Sequence, residues 1–237
     1  MRNEVFHLWH LVQKRNSLED AAASLSSPGF EPHYSSGHAR EAPFERYILA
    51  ACDMQDEIDA AVMDVVNSYE TDNADILAKT SGQRQRTLRL CFICGKNDEY
   101  IADRLGVNVW TVERRLRGDY GEKAPEGRFT TLVAEARLLP IDAEVEEHLA
   151  RTYRNVQRMV GETYREVEEL ILVHERRAAD YRRQVEIGME QIKRIIEGLD
   201  GKKRDIAKGW FDGMSVSEIQ RKSNCSLRYV QKVLSGL

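Results

Sequence analysis

The chain has 237 residues, 42% of them hydrophobic and 31% charged, with only 5 prolines and 15 glycines, a balance that suits one large or a few small helical domains better than sheets joined by tight turns. No run comes near the roughly 18 apolar residues of a bilayer-crossing helix, and residues 1–15 lack the basic-then-apolar order of a secretion signal, so the sequence reads as cytoplasmic with no membrane partner. The net charge of −4 conceals an asymmetry, because residues 81–123 carry 9 Lys/Arg against 6 Asp/Glu and residues 201–237 carry 8 against 3, whereas residues 1–80 carry 6 against 14 and residues 124–200 carry 12 against 16.

The N-terminal region, residues 1–80, reads as helical. A first helix is predicted from Glu4 to about Leu25, with Val5, Leu8, Trp9, Val12 and Leu18 on one face. Residues 26–42, rich in Ser, Pro and Gly and without an apolar period, read as a loop. A second helix opens near Pro43. Its positions Phe44, Ile48, Ala51, Gln55, Ile58, Val62, Val65 and Tyr69 alternate steps of four and three, a coiled-coil seam with one polar member. A short helix from Ala74 to Lys79 follows.

Residues 81–123 predict three short helices. The first ends near Cys94 with Gly95 as its stop, the second starts at Asp98 as N-cap, and the third starts at Asn108 as N-cap. Gly106 lies in the turn between the last two, where a sharp reversal calls for positive φ. Leu90, Ile93, Ile101, Leu105, Val107, Val112 and Leu116 supply a small core. Residues 124–141, with Pro125 and Pro140, read as a linker. One long coiled-coil helix is then expected over residues 142–200, carried by Val145, Leu149, Thr152 and Val156 and, after a four-residue shift, by a seam from Val160 to Leu199. At ~1.5 Å per residue it would be about 85 Å long. Such a stripe needs a partner helix, which predicts a homo-oligomer with a dimer favoured. The pairing direction stays open, including a fold-back at Gly161 or Gly188. Residues 201–237 predict a second three-helix unit.

The two short units align without a gap. Gly95, Ile101, Val107, Asn108, Val112, Arg114 and Leu116 recur 118 positions later as Gly213, Ile219, Cys225, Ser226, Val230, Lys232 and Leu234. A helix-turn-helix ties its buried contacts, its turn and the start of its recognition helix to one geometry, so this shared spacing, in the two locally basic segments, points to double-stranded DNA. The expected fold class is all-α, with two helix-turn-helix units joined by a long coiled-coil helix.

The first unit resembles region 4 of bacterial sigma factors through Gly95, Asn97, Ile101, Ala102, Leu105, Gly106, Val107, Asn108, Thr111, Val112, Arg114, Arg115 and Leu116, with Tyr100 where glutamate is usual. The second unit departs further, with Gln220 and Asn224 in place of alanine and glycine. Residues 1–118 as a whole are similar to the RinA and ArpU group of phage regulators: a first helix, a Ser/Pro loop ending in Ser-Ser-Gly, a heptad helix and a sigma-like unit. The resemblance implies a transcription regulator that switches on phage late genes. The long helix and the second unit fall outside that pattern.

On this reading the third helix of each unit enters the major groove, through Asn108, Trp110, Thr111, Arg114 and Arg115 in the first and Ser226, Arg228, Tyr229, Gln231 and Lys232 in the second. Arg114 and Arg228 suit bidentate pairing with guanine, and Gln231 with adenine. Arg115, Arg117, Lys202, Lys203, Arg221 and Lys222 suit phosphates, which position without specifying. Trp110 and Tyr229 fit either thymine methyls and sugars or packing against a neighbouring helix.

Cys52, Cys91, Cys94 and Cys225 are scattered, which fits reduced thiols. Cys91-x-x-Cys94 lacks a second ligand pair and reads as buried thiols, not a zinc site. His7, His10 and the seam residue His174 read as packing or register residues, leaving no expected metal or cofactor. No phosphate-cradling glycine loop, nucleophile elbow or metal signature occurs, so a binding protein is expected rather than an enzyme. The expected function is a sequence-specific transcription regulator of phage or prophage type. The alternatives are a phage small terminase subunit and a sigma-like scaffold that grips RNA polymerase or another protein.

Overall fold

A computed structural model describes residues 2–25, 43–118 and 127–237, and among these residues every regular element is helical. The loop expected over residues 26–42 lies outside the described residues, as do positions 119–126. Among the described residues no helix is long and apolar enough to cross a membrane. The elements are α1 (Asn3–Leu25), α2 (Pro43–Lys79), α3 (Gly82–Leu88), a π-helical turn (Arg89–Ile93), α4 (Asp98–Leu105), α5 (Val109–Arg117), α6 (Arg128–Val160), α7 (Arg165–Glu197), α8 (Gly201–Phe211), α9 (Val216–Ser223) and α10 (Leu227–Gly236). They fall into two units, and α2, α6 and α7 contribute to both.

One unit comprises Met1–Ala74 and Arg151–Ile171. Within it α1 runs antiparallel to α2. At one end Arg2 donates to Ser68 at 3.0 Å and pairs with Asp72 at 2.9 Å; at the other Arg15 donates to Gln55 at 3.1 Å. The α2 seam is buried at Ala51, Ile58, Val62, Val65 and Tyr69. Its one polar member, Gln55, also donates to Asp59 at 2.7 Å, so it enters the seam with its amide satisfied. The separate helix expected at Ala74–Lys79 is the continuation of α2. On α1 the buried stripe is Leu8, Val12 and Ala22; it is narrow, and Trp9, expected on the buried face, is exposed and stacks on Phe6 with ring centroids 6.2 Å apart.

Instead of continuing to residue 199, the long helix stops at Val160 and reverses. Gly161 takes φ +80°, which glycine adopts without a Cβ clash, and Gln157 reaches across the four-residue turn to donate to the Tyr164 carbonyl at 3.3 Å. Of the two fold-back points left open, Gly161 is the one used. Tyr153, Val156, Val160, Val167 and Ile171 are buried beside the α1–α2 core, and Tyr153 and Tyr164 donate their hydroxyls to Glu70 (2.6 Å) and Asp59 (2.8 Å).

The other unit comprises Asp75–Ala150 and Leu172–Leu237. Here too α6 and α7 are antiparallel: Phe129 and Val133 cluster with Ile192 and Ile196, a Cβ on Gly188 would sit 3.9 Å from that of Ala136, and Glu146 meets His174. Partner numbers fall along α7 as they rise along α6. The α7 seam residues His174, Ala178 and Ile192 are therefore covered within the chain. The linker expected over residues 124–141 is, from Arg128 onward, the opening part of α6, with Pro140 inside it. An interior proline removes a backbone hydrogen bond and crowds the preceding turn. The buried run Phe129, Val133, Ala136 and Ile141 spans that proline, and burial of this kind overrides local propensity.

Candidate nucleic-acid interface

Two three-helix assemblies sit within this second unit: α3 and its π-helical turn with α4 and α5, and α8 with α9 and α10. Their local geometry repeats cap by cap. Asn97 accepts from the Tyr100 amide at 3.1 Å, and 118 positions later Ser215 and Glu218 close a reciprocal capping box. Gly106 ends α4 at φ +65°, and Asn224 ends α9 at φ +49°. Asn108 accepts from the Thr111 amide at 2.8 Å, and Ser226 from that of Tyr229 at 3.2 Å. The α4 cap falls on Asn97, one residue before the expected Asp98, which joins the first turn, where a carboxylate favours the helix dipole. Asparagine is the residue other than glycine that most readily takes the left-handed conformation, which explains Asn224 opposite Gly106.

In the first assembly Leu90, Ile93, Ile101 and Val112 are buried, with Leu105, Val107 and Leu116 half-buried; in the second, Ile206, Ile219, Val230, Val233 and Leu234 form the core. Cys94 is buried and Cys91 half-buried, where burial and then Asp98 push its thiol pKa upward, away from the reactive thiolate.

The outer face of α5 carries Trp110, 59% exposed, with the Arg114 guanidinium carbon 4.8 Å from its ring centroid. Arg117 is exposed beside Glu113 at 3.8 Å, and Asn108 stays exposed at the cap. Two residues expected at DNA are turned inward. Thr111 is buried and donates its hydroxyl to the Asn108 side chain at 2.8 Å, so it completes the cap. Arg115 is only 3% exposed, donates to the Gln83 side chain, and accepts at its carbonyl from Arg84 at 3.2 Å, so it packs against α3. Its repeat counterpart is the buried Val233, a signal for a core position that the alignment itself contained.

On the second assembly Lys202, Lys203, Arg221, Lys222, Ser226, Arg228, Tyr229, Gln231 and Lys232 are all exposed. Arg228 and Lys232 occupy the positions that Trp110 and Arg114 hold on α5. With Gln231 they line a cleft of about 1310 Å³ whose other walls include Arg104 from α4 and Arg137 from α6.

Sequence reasoning missed the residues that mount these assemblies on the hairpin. Arg89, 1% exposed on the π-helical turn, donates to Asp142 at 2.8 Å and to Glu146 at 2.5 Å; Arg86 also reaches Asp142 at 2.5 Å, and His174 meets the other oxygen of Glu146 at 2.6 Å. Burial raises the pKa of Glu146, but the His174 hydrogen bond and the Arg89 charge outweigh it, so the carboxyl is held below its ordinary range. Nearer the turn, Tyr100 (2.5 Å) and Arg104 (2.9 Å) both bond Glu144. On the other side Arg137 donates to the Trp210 and Phe211 carbonyls at 2.9 Å each, satisfying the last turn of α8. These partners lie far apart in sequence and carry no periodic signal. No protein-family model, curated protein or solved structure matches the chain.

Proposed function

We propose that the chain is a sequence-specific double-stranded DNA-binding protein, a transcription regulator of phage or prophage type that works by binding and not by catalysis. The observation that carries the reading is the repeated turn: two short helices with N-caps and a left-handed residue at matching positions 118 apart, each set in a locally basic segment. The phage gene-control part of this proposal rests only on the sequence likeness of residues 1–118 to the RinA and ArpU group, which no family model matches. Base contacts are assigned to Trp110 and Arg114 on α5 and to Arg228, Tyr229 and Gln231 on α10. Phosphate contacts are assigned to Arg117, Lys202, Lys203, Arg221, Lys222 and Lys232. Arg115 and Thr111 leave the contact set for structural roles, and Asn108 and Ser226, exposed at the caps, open the two reading helices. His174, Ala178 and Ile192 of the α7 seam are buried within the chain while Tyr181, Val185 and Gly188 are half-buried, and the binding entity in this proposal is the single chain in place of the expected dimer.

The test is a duplex selected from random sequence by the full chain. On it, Arg114→Ala and Arg228→Ala are each expected to weaken binding by about 1–3 kcal/mol and to relax preference at the bases they touch. Lys202→Ala with Lys203→Ala should weaken all duplexes alike. Should both arginine variants bind like the wild type, the reading fails.

A further inference from the structure

Each of the two three-helix assemblies is fastened to the α6–α7 hairpin by side-chain contacts. The first is fixed to α6 by the buried Arg86–Arg89–Asp142–Glu146 network and, nearer its turn, by Tyr100 and Arg104 on Glu144. The second follows α7 after the short stretch Gly198–Asp200, whose neighbouring carbonyls are clamped by Arg204, which donates to Leu199 at 2.6 Å and to Glu197 at 3.2 Å. Ala207 of α8 is buried in one cluster with Phe129 and Val133 of α6 and Ile192 of α7, with Trp210 and Phe211 packed against it, and Arg137 bonds the last carbonyls of α8. Both mounts use the same stretch of hairpin, Arg128–Ala150 against Leu172–Glu197, inside one compact unit.

Resting on the DNA reading above, we infer that this hairpin acts as a ruler: one chain presents α5 and α10 at a fixed separation and phase, and so recognises a two-part duplex site whose internal spacing is a specificity determinant alongside its bases. Many helix-turn-helix proteins set half-site spacing by pairing two chains about a two-fold axis. Here the two readers belong to one chain, and their faces differ in chemistry, Trp110 and Arg114 on one against Arg228, Gln231 and Lys232 on the other. The site is therefore asymmetric, two unlike segments rather than a palindrome. A fixed frame also means that shifting one segment by half a turn turns its groove away from the helix that reads it.

The experiment uses the full chain and its selected duplex, with the two contacted segments located by the Arg114→Ala and Arg228→Ala variants. Inserting about 5 base pairs, half a helical turn, between them should cost at least as much as Arg228→Ala, about 5- to 150-fold or more, because every contact of the second assembly is lost together. Arg228→Ala should then cost nothing further on the inserted duplex. The complex should contain one chain per duplex. A short Gly/Ser insertion between Leu199 and Asp200, combined with Arg204→Ala, should free the second assembly and restore binding to the inserted duplex, with helix content by circular dichroism unchanged. The ruler is overturned if the wild type tolerates the insertion without loss while Arg228→Ala still weakens binding, or if two chains occupy each duplex. If neither arginine matters on the selected duplex, the DNA reading fails and the ruler with it, an outcome distinct from a tolerated insertion.

Discussion

Arg89→Met should lower the unfolding free energy by up to about 3–5 kcal/mol, because it removes the buried partner that Asp142 and Glu146 share and leaves Asp142 with Arg86 and Glu146 with His174. Asp142 and Glu146 are both 2% exposed and His174 is fully buried, so water does not replace the guanidinium. Arg89 sits on the π-helical turn, and its repeat counterpart, Ala207 on the regular helix α8, is also buried. Urea unfolding followed by circular dichroism measures the loss. Adding Glu146→Gln to Arg89→Met should cost less than the two single losses combined, since the carboxylate no longer has the charge it paired with. The depressed pKa of Glu146 sets the sign with pH. Its contribution is present above the ordinary carboxylate pKa of about 4.3 and is lost as pH falls through the lower folded value. The gap between wild type and Arg89→Met should therefore shrink in acid. A loss under about 1 kcal/mol at neutral pH would show that the network is not closed from water as described.

Phe129→Ala should cost about 3–5 kcal/mol, the usual range for truncating a fully buried phenylalanine. Phe129 is 0% exposed and packs where α6, α7 and α8 meet. The substitution separates two accounts of residues 124–141. In a linker the change would be nearly neutral; in α6 it opens a cavity under the second three-helix assembly. Hydrogen exchange should show the loss of protection concentrated in α8, α9 and α10, because their attachment to the hairpin runs through this cluster.

Much of this architecture was legible in the residues. The heptad of α2 from Ala51 to Tyr69, the caps at Asn108 and Ser226 and the glycine turn at Gly106 are local, and local patterns survive without knowledge of the fold. What was hidden is what depends on a distant partner. A three-four seam reads the same whether a second chain or a returning helix fills it, so the α7 pattern could not separate a dimer from the hairpin reversing at Gly161. Pro140 reads as a breaker because the sequence does not show that Phe129, Val133, Ala136 and Ile141 are buried together around it. Its charge points Arg115 to the groove or to phosphate, although its counterpart Val233 marks a core position. Of the expected contact residues, Asn108, Trp110, Arg117 and the second-assembly set from Lys202 to Lys232 are exposed and Arg114 is half-buried, while Thr111 and Arg115 are buried.

The measurement that bears most directly on DNA binding is equilibrium titration of the full chain with its selected duplex across a salt series. Each phosphate neutralised by Lys or Arg contributes about −0.9 to the slope of log K against log salt, so a contact set that includes Arg117, Lys202, Lys203, Arg221, Lys222 and Lys232 should give a steep linear fall, with affinity dropping on the order of a thousandfold between about 50 and 200 mM. Lys202→Ala with Lys203→Ala should flatten that slope by about 2. No duplex binding at low salt, or binding whose strength does not change with salt, would contradict the account.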